Sequence, residues 1–197
     1  MNDGSLWLIA GLGNPGRKYD GNWHNSGFQA LDLLANRNHL VIDRIRFQGL
    51  TGQGTIGTTR CILLKPTTYM NRSGLSIREA AAFFKIDPPH CLVLYDDVDI
   101  PLGQIRIRDS GGPGTHNGMR SVVSPQGLGG ENFPRIRIGI GPQPEQWDIA
   151  DFVLSDVPVG ARETWRQSTL LAAEAAETIC REGIQPAMNR FNRRQPD

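Results

Sequence analysis

The chain switches between short apolar runs and stretches with a helical period, and these two patterns predict its elements. Residues 6–10, Leu-Trp-Leu-Ile-Ala, form a continuous apolar run that reads as a buried strand. Phe28, Leu31, Leu34 and Ala35 recur at helical spacing and predict a first helix over 25–37. Residues 41–65 read as strands: partial alternation over 41–49, a glycine-punctuated stretch over 53–58, and a buried run over 61–64 closed by Pro66. Breaks this short predict hairpins, so antiparallel pairing is expected here. A second helix follows, with Leu75, Ile77, Ala81 and Phe84 on its inner face and Asn71 or Ser73 as its cap. Residues 91–95 are again continuously apolar and end at Asp96-Asp97-Val98-Asp99. Carboxylates just past a buried strand stand where open α/β sheets keep their sites.

Further on, Ile105 and Ile107 alternate with Arg106 and Arg108, and Ile136, Ile138 and Ile140 alternate with Arg135 and Arg137. Strands of this kind bury one face and turn the arginines the other way. A short helix is expected over 119–124. A long amphipathic helix over 161–181 carries Trp165, Thr169, Ala172, Ala176 and Ile179 on one face, with Gly183 as its C-cap. There is no internal repeat, linker or low-complexity segment. The alternation of strands and helices predicts one α/β domain over residues 1–197, a mixed β-sheet flanked by helices in three layers, αβα.

A chain of 197 residues suffices for one full core. Its formal net charge is only +1, yet residues 101–140 hold five arginines (Arg106, Arg108, Arg120, Arg135, Arg137) against Asp109 and Glu131. The tail adds Arg190, Arg193 and Arg194, and an acidic stretch with Glu145, Asp148, Asp151 and Asp156 lies between. A local basic patch on a nearly neutral molecule suits a nucleic acid approached from one side, although scattered, solvated arginines are just as common. Cys61, Cys91 and Cys180 form no C-x-x-C pair, and the odd count argues against a disulfide framework. Cys61 and Cys91 read as small buried hydrophobes in a reducing compartment. The first residues carry no positive charge, the apolar run after them is too short for a signal peptide, and no stretch approaches a membrane span. A cytoplasmic location is expected.

The candidate chemistry gathers on two glycine-rich loops. The strand over 6–10 breaks into Gly11-Leu12-Gly13-Asn14-Pro15-Gly16, and His24 follows between Asn22 and Asn25. The glycines fit G-x-G-x-x-G, but the dinucleotide fingerprint needs a helix opening inside the run. Pro15 precedes the third glycine, and no apolar periodicity returns before Phe28, so that reading is rejected. The second loop, residues 110–118, carries His116 and Asn117. No G-x-S-x-G elbow is present, the buried cysteines lack the setting of a nucleophile, and the four histidines show no metal-ligand spacing. Asp96-Asp97-x-Asp99 as a divalent-metal site is a minority alternative. What remains is His24 as a base that takes a proton from water, with Asp96 as the best-placed acceptor for its other ring nitrogen. The amides of Asn14, Asn71 and Asn117 suit orienting water or an oxyanion. Taken singly, a loop asparagine is usually a turn or cap, and a loop histidine is usually just solvated.

Five blocks together closely resemble the bacterial peptidyl-tRNA hydrolase family. They are G-L-G-N-P-G with Tyr19 and His24-Asn25-x-Gly27; Lys65-Pro66-Thr67-Thr68-Tyr69-Met70-Asn71-x-Ser73-Gly74; Tyr95-Asp96-Asp97-x-Asp99-x-Pro101-x-Gly103; Gly114-x-His116-Asn117-Gly118; and Arg135-x-Arg137-Ile138-Gly139-Ile140-Gly141. The match runs in order along essentially the whole chain. The resemblance implies a monomeric esterase, needing neither metal nor cofactor, that cuts the bond between a peptide and the 3′ end of tRNA. By position, His24 is the base and Asp96 holds it, while Asn14 and Asn71 place the ester and support the oxyanion. His116, Asn117, Tyr19, Tyr69 and Met70 match substrate-contacting positions, and Arg106, Arg108 and Arg137 match those that grip acceptor-stem phosphates. Two departures stand out: Trp23 precedes His24 where many relatives carry arginine, and the second loop reads Gly112-Pro113-Gly114-Thr115. Readings from other classes are an RNA-binding module of this fold without turnover, which the intact His24, Asp96, Asn14 and Asn71 oppose, and a general esterase, which the arginine face opposes.

Overall fold

The computed structural model describes residues 5–192, so Arg193, Arg194 and the first four residues lie outside it. The elements run β1 (Trp7–Gly11), α1 (Ser26–Arg37), β2 (Arg44–Arg46), β3 (Gly49–Ile56), β4 (Thr59–Pro66), α2 (Ser73–Phe84) and β5 (Cys91–Pro101). They continue β6 (Ile105–Arg108), α3 (Asn117–Val123), β7 (Arg135–Gly141), α4 (Ile149–Val153), α5 (Arg162–Glu182) and α6 (Ile184–Phe191). The strands make one seven-stranded sheet in the order β2-β3-β4-β1-β5-β7-β6. β4, β1, β5 and β7 are mutually parallel, and β2, β3 and β6 pair antiparallel at the two margins. The sheet is mixed, as expected, with hairpins over 44–66.

Strand alternation sends successive side chains to opposite faces and so creates two cores. On one face Ile9, Leu63, Leu92, Leu94, Ile136 and Ile138 pack under α1 and α5. On the other, Leu8, Ala10, Ile62, Leu64 and Val93 meet Ile77, Ala80 and Ala81 of α2 and Met119 and Val122 of α3. Each fully buried Leu or Ile contributes about 1.5–3 kcal/mol relative to exposure. The second layer stops short of the β7–β6 margin. There, on the face opposite the isoleucines, Arg106 pairs with Arg137 and Arg108 with Arg135 across the strands.

Several expectations shift. β5 runs on through Asp96, Asp97 and Asp99 to Pro101 because β7 keeps pairing with it, so the carboxylates stand on the strand rather than past it. The alternation over 41–49 shrinks to the three residues of β2, at the sheet margin, with Val41 and Ile45 exposed. α2 starts at Ser73 with no side-chain cap, and Ser73 Oγ instead donates back to the Met70 carbonyl at 3.0 Å. Leu75 and Phe84 are half-buried flank positions. α4 and α6 were not anticipated. All three cysteines are buried, and none is in a disulfide among the described residues. Burial pushes the Cys61 and Cys91 thiols up to about 12 and Cys180 upward as well, so they are inert hydrophobes. Among the described residues no helix is long and apolar enough to cross a membrane.

Candidate active site

The carboxyl ends of β1 and β5 mark the place where the order of parallel strands turns back, with β4 on one side of β1 and β5 on the other. Crevices in open α/β sheets form there. The loop leaving β1 is locked by reciprocal bonds: the Asn14 amide N–H donates to Asn25 Oδ1 at 2.8 Å, and Asn25 Nδ2 donates to the Asn14 carbonyl at 3.0 Å. Asn14 Oδ1 accepts the Met70 N–H at 2.9 Å, which fixes the segment holding Asn71. Asn14 Nδ2 has no partner among the described residues and is the end of this buried amide left for another group.

His24 sits in a short 3₁₀ turn, Trp23–Asn25, ahead of α1. Trp23 makes this turn rigid. It is buried, with Phe152 and Trp165 at ring separations of 5.7 and 6.4 Å. Its carbonyl accepts Ser26 Oγ, which in turn accepts the Trp165 indole N–H at 2.8 Å. Trp23 is therefore a core residue anchoring α4 and α5 to the His24 turn.

Asp96, 1% exposed, holds two imidazoles. His24 Nδ1 lies 2.8 and 3.0 Å from its carboxylate oxygens, and His116 Nε2 lies 3.1 Å from Oδ1. The two rings are 4.8 Å apart, and Tyr95 closes edge-on over His116 at 4.9 Å. The tautomers follow from the network. His116 Nδ1 accepts the Met119 N–H at 3.1 Å, capping α3, so its proton sits on Nε2 and is donated to Asp96. His24 likewise donates from Nδ1, which leaves the lone pair on Nε2. Burial alone would push the Asp96 carboxyl up, but the imidazoles bonded to it outweigh burial and hold it well below the usual carboxylate range. His116 moves down, chiefly by burial, and stays neutral. The pair at His24 is thus a base oriented by an ionised carboxylate.

His24 Nδ1, Asp96 and His116 Nε2 offer three potential ligand atoms within 4.8 Å, a proximity the sequence spacing of the histidines did not show. With His116 Nδ1 committed to the Met119 amide, however, its Nε2 presents a proton rather than a lone pair, and the set fits a hydrogen-bonded triad better than a metal. The aspartate run does not converge on an ion. Asp97 turns away from Asp96 to pair with Arg137 at 2.7 Å and to accept the Asp99 N–H at 3.0 Å.

A cleft of about 370 Å³ opens beside the triad, lined by the 110–117 loop, by Arg108 and Arg137, and by Ile149, Ala150 and Val153 around α4. Asn117, the first residue of α3, is shared with a second depression that Asn71, Arg72 and Arg120 border. Tyr19 and the exposed Tyr69 flank Lys18, whose ammonium lies 4.7 Å from the Tyr19 ring. Met70 is buried. Arg106 lies outside both hollows, bonded to its own Ile105 carbonyl and to Gln104. Arg135, which alternation grouped with Arg137, is 1% exposed. The sequence reading missed two things: His116 as the second imidazole on Asp96, and the burial of Arg135.

Comparison with known proteins agrees with this geometry. A family model described as peptidyl-tRNA hydrolase matches residues 8–197. The peptidyl-tRNA hydrolase of Alkaliphilus oremlandii is 46% identical over 187 residues, 95% of this chain and all of that one. That of Carboxydothermus hydrogenoformans is 44% identical over 188 residues, 95% of this chain and 99% of its own. A crystal structure of peptidyl-tRNA hydrolase from Acinetobacter baumannii superposes with a TM-score of 0.88 at 36% identity, covering 98% of this chain and 97% of the other. With the likeness running through fold, order and sequence alike, the chain belongs to the peptidyl-tRNA hydrolase family.

Proposed function

We propose that this protein hydrolyses the ester between a peptide, or another N-blocked aminoacyl group, and the 3′ end of tRNA, with His24 as general base. The observation that carries the reading is the pair of short contacts from His24 Nδ1 to buried Asp96, which leaves Nε2 as an acceptor. A water bonded to Nε2 loses a proton to it as its oxygen attacks the ester carbonyl. Asp96 stabilises the imidazolium that forms. The tetrahedral oxyanion takes hydrogen bonds from amide groups, for which Asn14 Nδ2, Asn71 and Asn117 are the candidates. Collapse breaks the bond to the ribose oxygen, and the imidazolium returns its proton to that leaving group. A free carboxylic acid and a free tRNA result, the latter ready for reuse in translation.

Around this centre His116 fixes Asp96 and, with Asn117, borders the 3′ end; Tyr19 and Tyr69 contact the substrate, and Met70 lies against the peptide side. Arg106, Arg108 and Arg137 hold backbone phosphates of the acceptor stem, a grip worth affinity and register but no chemistry. Residues 1–197 act as one unit, a cytoplasmic monomer, and no metal takes part.

The test is turnover of an N-acetylated aminoacyl-tRNA, with and without EDTA, beside a short ester of the terminal nucleotides. Wild type should cleave both, with chelator making no difference and uncharged tRNA competing, as it would not against a general esterase. Arg106→Ala with Arg108→Ala should raise KM for the tRNA substrate, flatten its salt dependence and leave the short ester nearly untouched. Tight tRNA binding without cleavage would instead mark an RNA-binding module. An equal loss on the short ester would show that the arginines serve the fold or the reacting centre.

A further inference from the structure

We propose that Arg135 is a positioning residue for this reaction, a latch that fastens the 110–116 loop and thereby sets His116 on Asp96 and Asn117 in the cleft. Among the described residues its side chain is the largest that is fully buried, and no carboxylate pairs with it. Instead every one of its five N–H donors meets a main-chain carbonyl. Nη1 donates to Gly111 and to Gly112, the latter at 3.2 Å; Nη2 donates to Glu131 at 2.9 Å and Phe133 at 3.2 Å; Nε donates to Phe133 at 3.3 Å. The plane also lies 4.1 Å from the centre of the Phe133 ring. With all donors spent, Arg135 has none left for a substrate phosphate, although it sits on the same strand as Arg137.

What it joins gives the latch its meaning. The Gly111 N–H also donates to the Glu131 carbonyl at 3.2 Å, so two loops are closed on one another around a single fork. Residues 109 and 110 are exposed, as are Gly112, Gly114 and Thr115, and apolar packing offers this strap little hold. At its far end stands His116, which must at once cap Met119 and donate to Asp96. A strap of only three residues between Gly112 and His116 transmits any slack at Arg135 directly to that ring. Lysine cannot replace the fork, since three donors on one nitrogen cannot span both loops.

The inference rests on the reading of the triad as the reacting centre, and the experiment separates the two. Arg135→Met and Arg135→Lys are compared with wild type in turnover of both substrates, in melting temperature, and by NMR of the His116 Nε2–H···Asp96 proton. In Arg135→Met, kcat should fall about 10–100-fold on the tRNA substrate and on the short ester alike, as for a misplaced reacting group, with KM little changed. The His116 proton signal should broaden or vanish while that of His24 Nδ1–H remains. Arg135→Lys should recover only part of either. Should Arg135→Met fail to fold, Arg135→Lys alone carries the test. A folded variant that keeps both the His116 signal and wild-type kcat overturns the latch, as does a loss confined to KM for the tRNA substrate. Loss of the signal with full turnover also overturns it, whereas a wild type that turns over neither substrate removes the reading of the reacting centre itself.

Discussion

In the loop after β1 a Cβ on Gly13 would lie 2.5 Å from the Phe28 ring, whereas in the loop after β6 a Cβ on Gly114 would meet nothing within 4 Å. Gly114 is there for its backbone, at φ +58°, and Gly13 for want of space. The two glycine-rich loops that meet at Asp96 are therefore built differently. The first is pressed into the core, cross-linked through Asn14 and Asn25, and carries the base. The second lies on the surface and keeps its shape through tethers at its ends, Arg135 at one and the His116 cap at the other. The base and its carboxylate are thus held by packing, and the wall that greets the substrate is held by a few polar bonds.

Breaking the rigid half should have the largest effect. His24→Ala should lower kcat by ~10²–10⁴-fold while tRNA affinity and fold persist, and Asp96→Asn should cost less, about 10²-fold, because the imidazole survives with poorer orientation. Turnover assays with tRNA-binding titrations check both. Near-normal rates in either folded variant would dissolve the distinction between the loops. The glycines themselves give the next contrast. Gly13→Ala should destabilise by about 2–3 kcal/mol through overpacking against Phe28, and Gly114→Ala by about 1 kcal/mol through the left-handed backbone alone. Urea melts of the two proteins measure the gap, and equal losses would contradict the packing difference.

A smaller effect should appear with pH. Because His116 is held below its ordinary value, the unfolded chain binds its proton first as pH falls. The stability it contributes is complete above about 6.5, the unfolded value, and drains away as pH drops toward the folded one. Asp96, depressed as well, keeps its contribution until far more acid conditions. Melting temperature should therefore begin to slope downward just below about pH 6.5. His116→Gln should flatten that slope, and an unchanged slope would remove His116 as its source.

The contrast also explains what the sequence disclosed. The buried runs of β1, β4 and β5 are legible because nothing but burial accounts for Leu8-Ile9-Ala10, Ile62-Leu63-Leu64 or Leu92-Val93-Leu94. The end of β5 was misplaced because Asp96 and Asp97 are tolerated inside the strand only by partners far along the chain, His24 72 residues away and Arg137 40 residues away. α4, five residues long, has no period to read. Arg135 and Arg137 look alike in an alternating strand, and only the loops folded over Arg135 separate them. At the site, His24 and Asp96 are legible from the residues and from the family resemblance alike, while His116 stands among the substrate contacts. Its bond to Asp96 depends on how the second loop closes, which no local pattern encodes.

The central claim, that Asp96 fixes the His24 proton on Nδ1 and so frees Nε2 as the base, is tested most directly by ¹⁵N NMR of the histidine side chains. Above the range where they titrate, the account predicts a His24 protonated on Nδ1 with Nε2 bare, and a His116 protonated on Nε2 with Nδ1 accepting the Met119 amide. A His24 that carries its proton on Nε2 would have no lone pair to offer water there, and the account would be wrong.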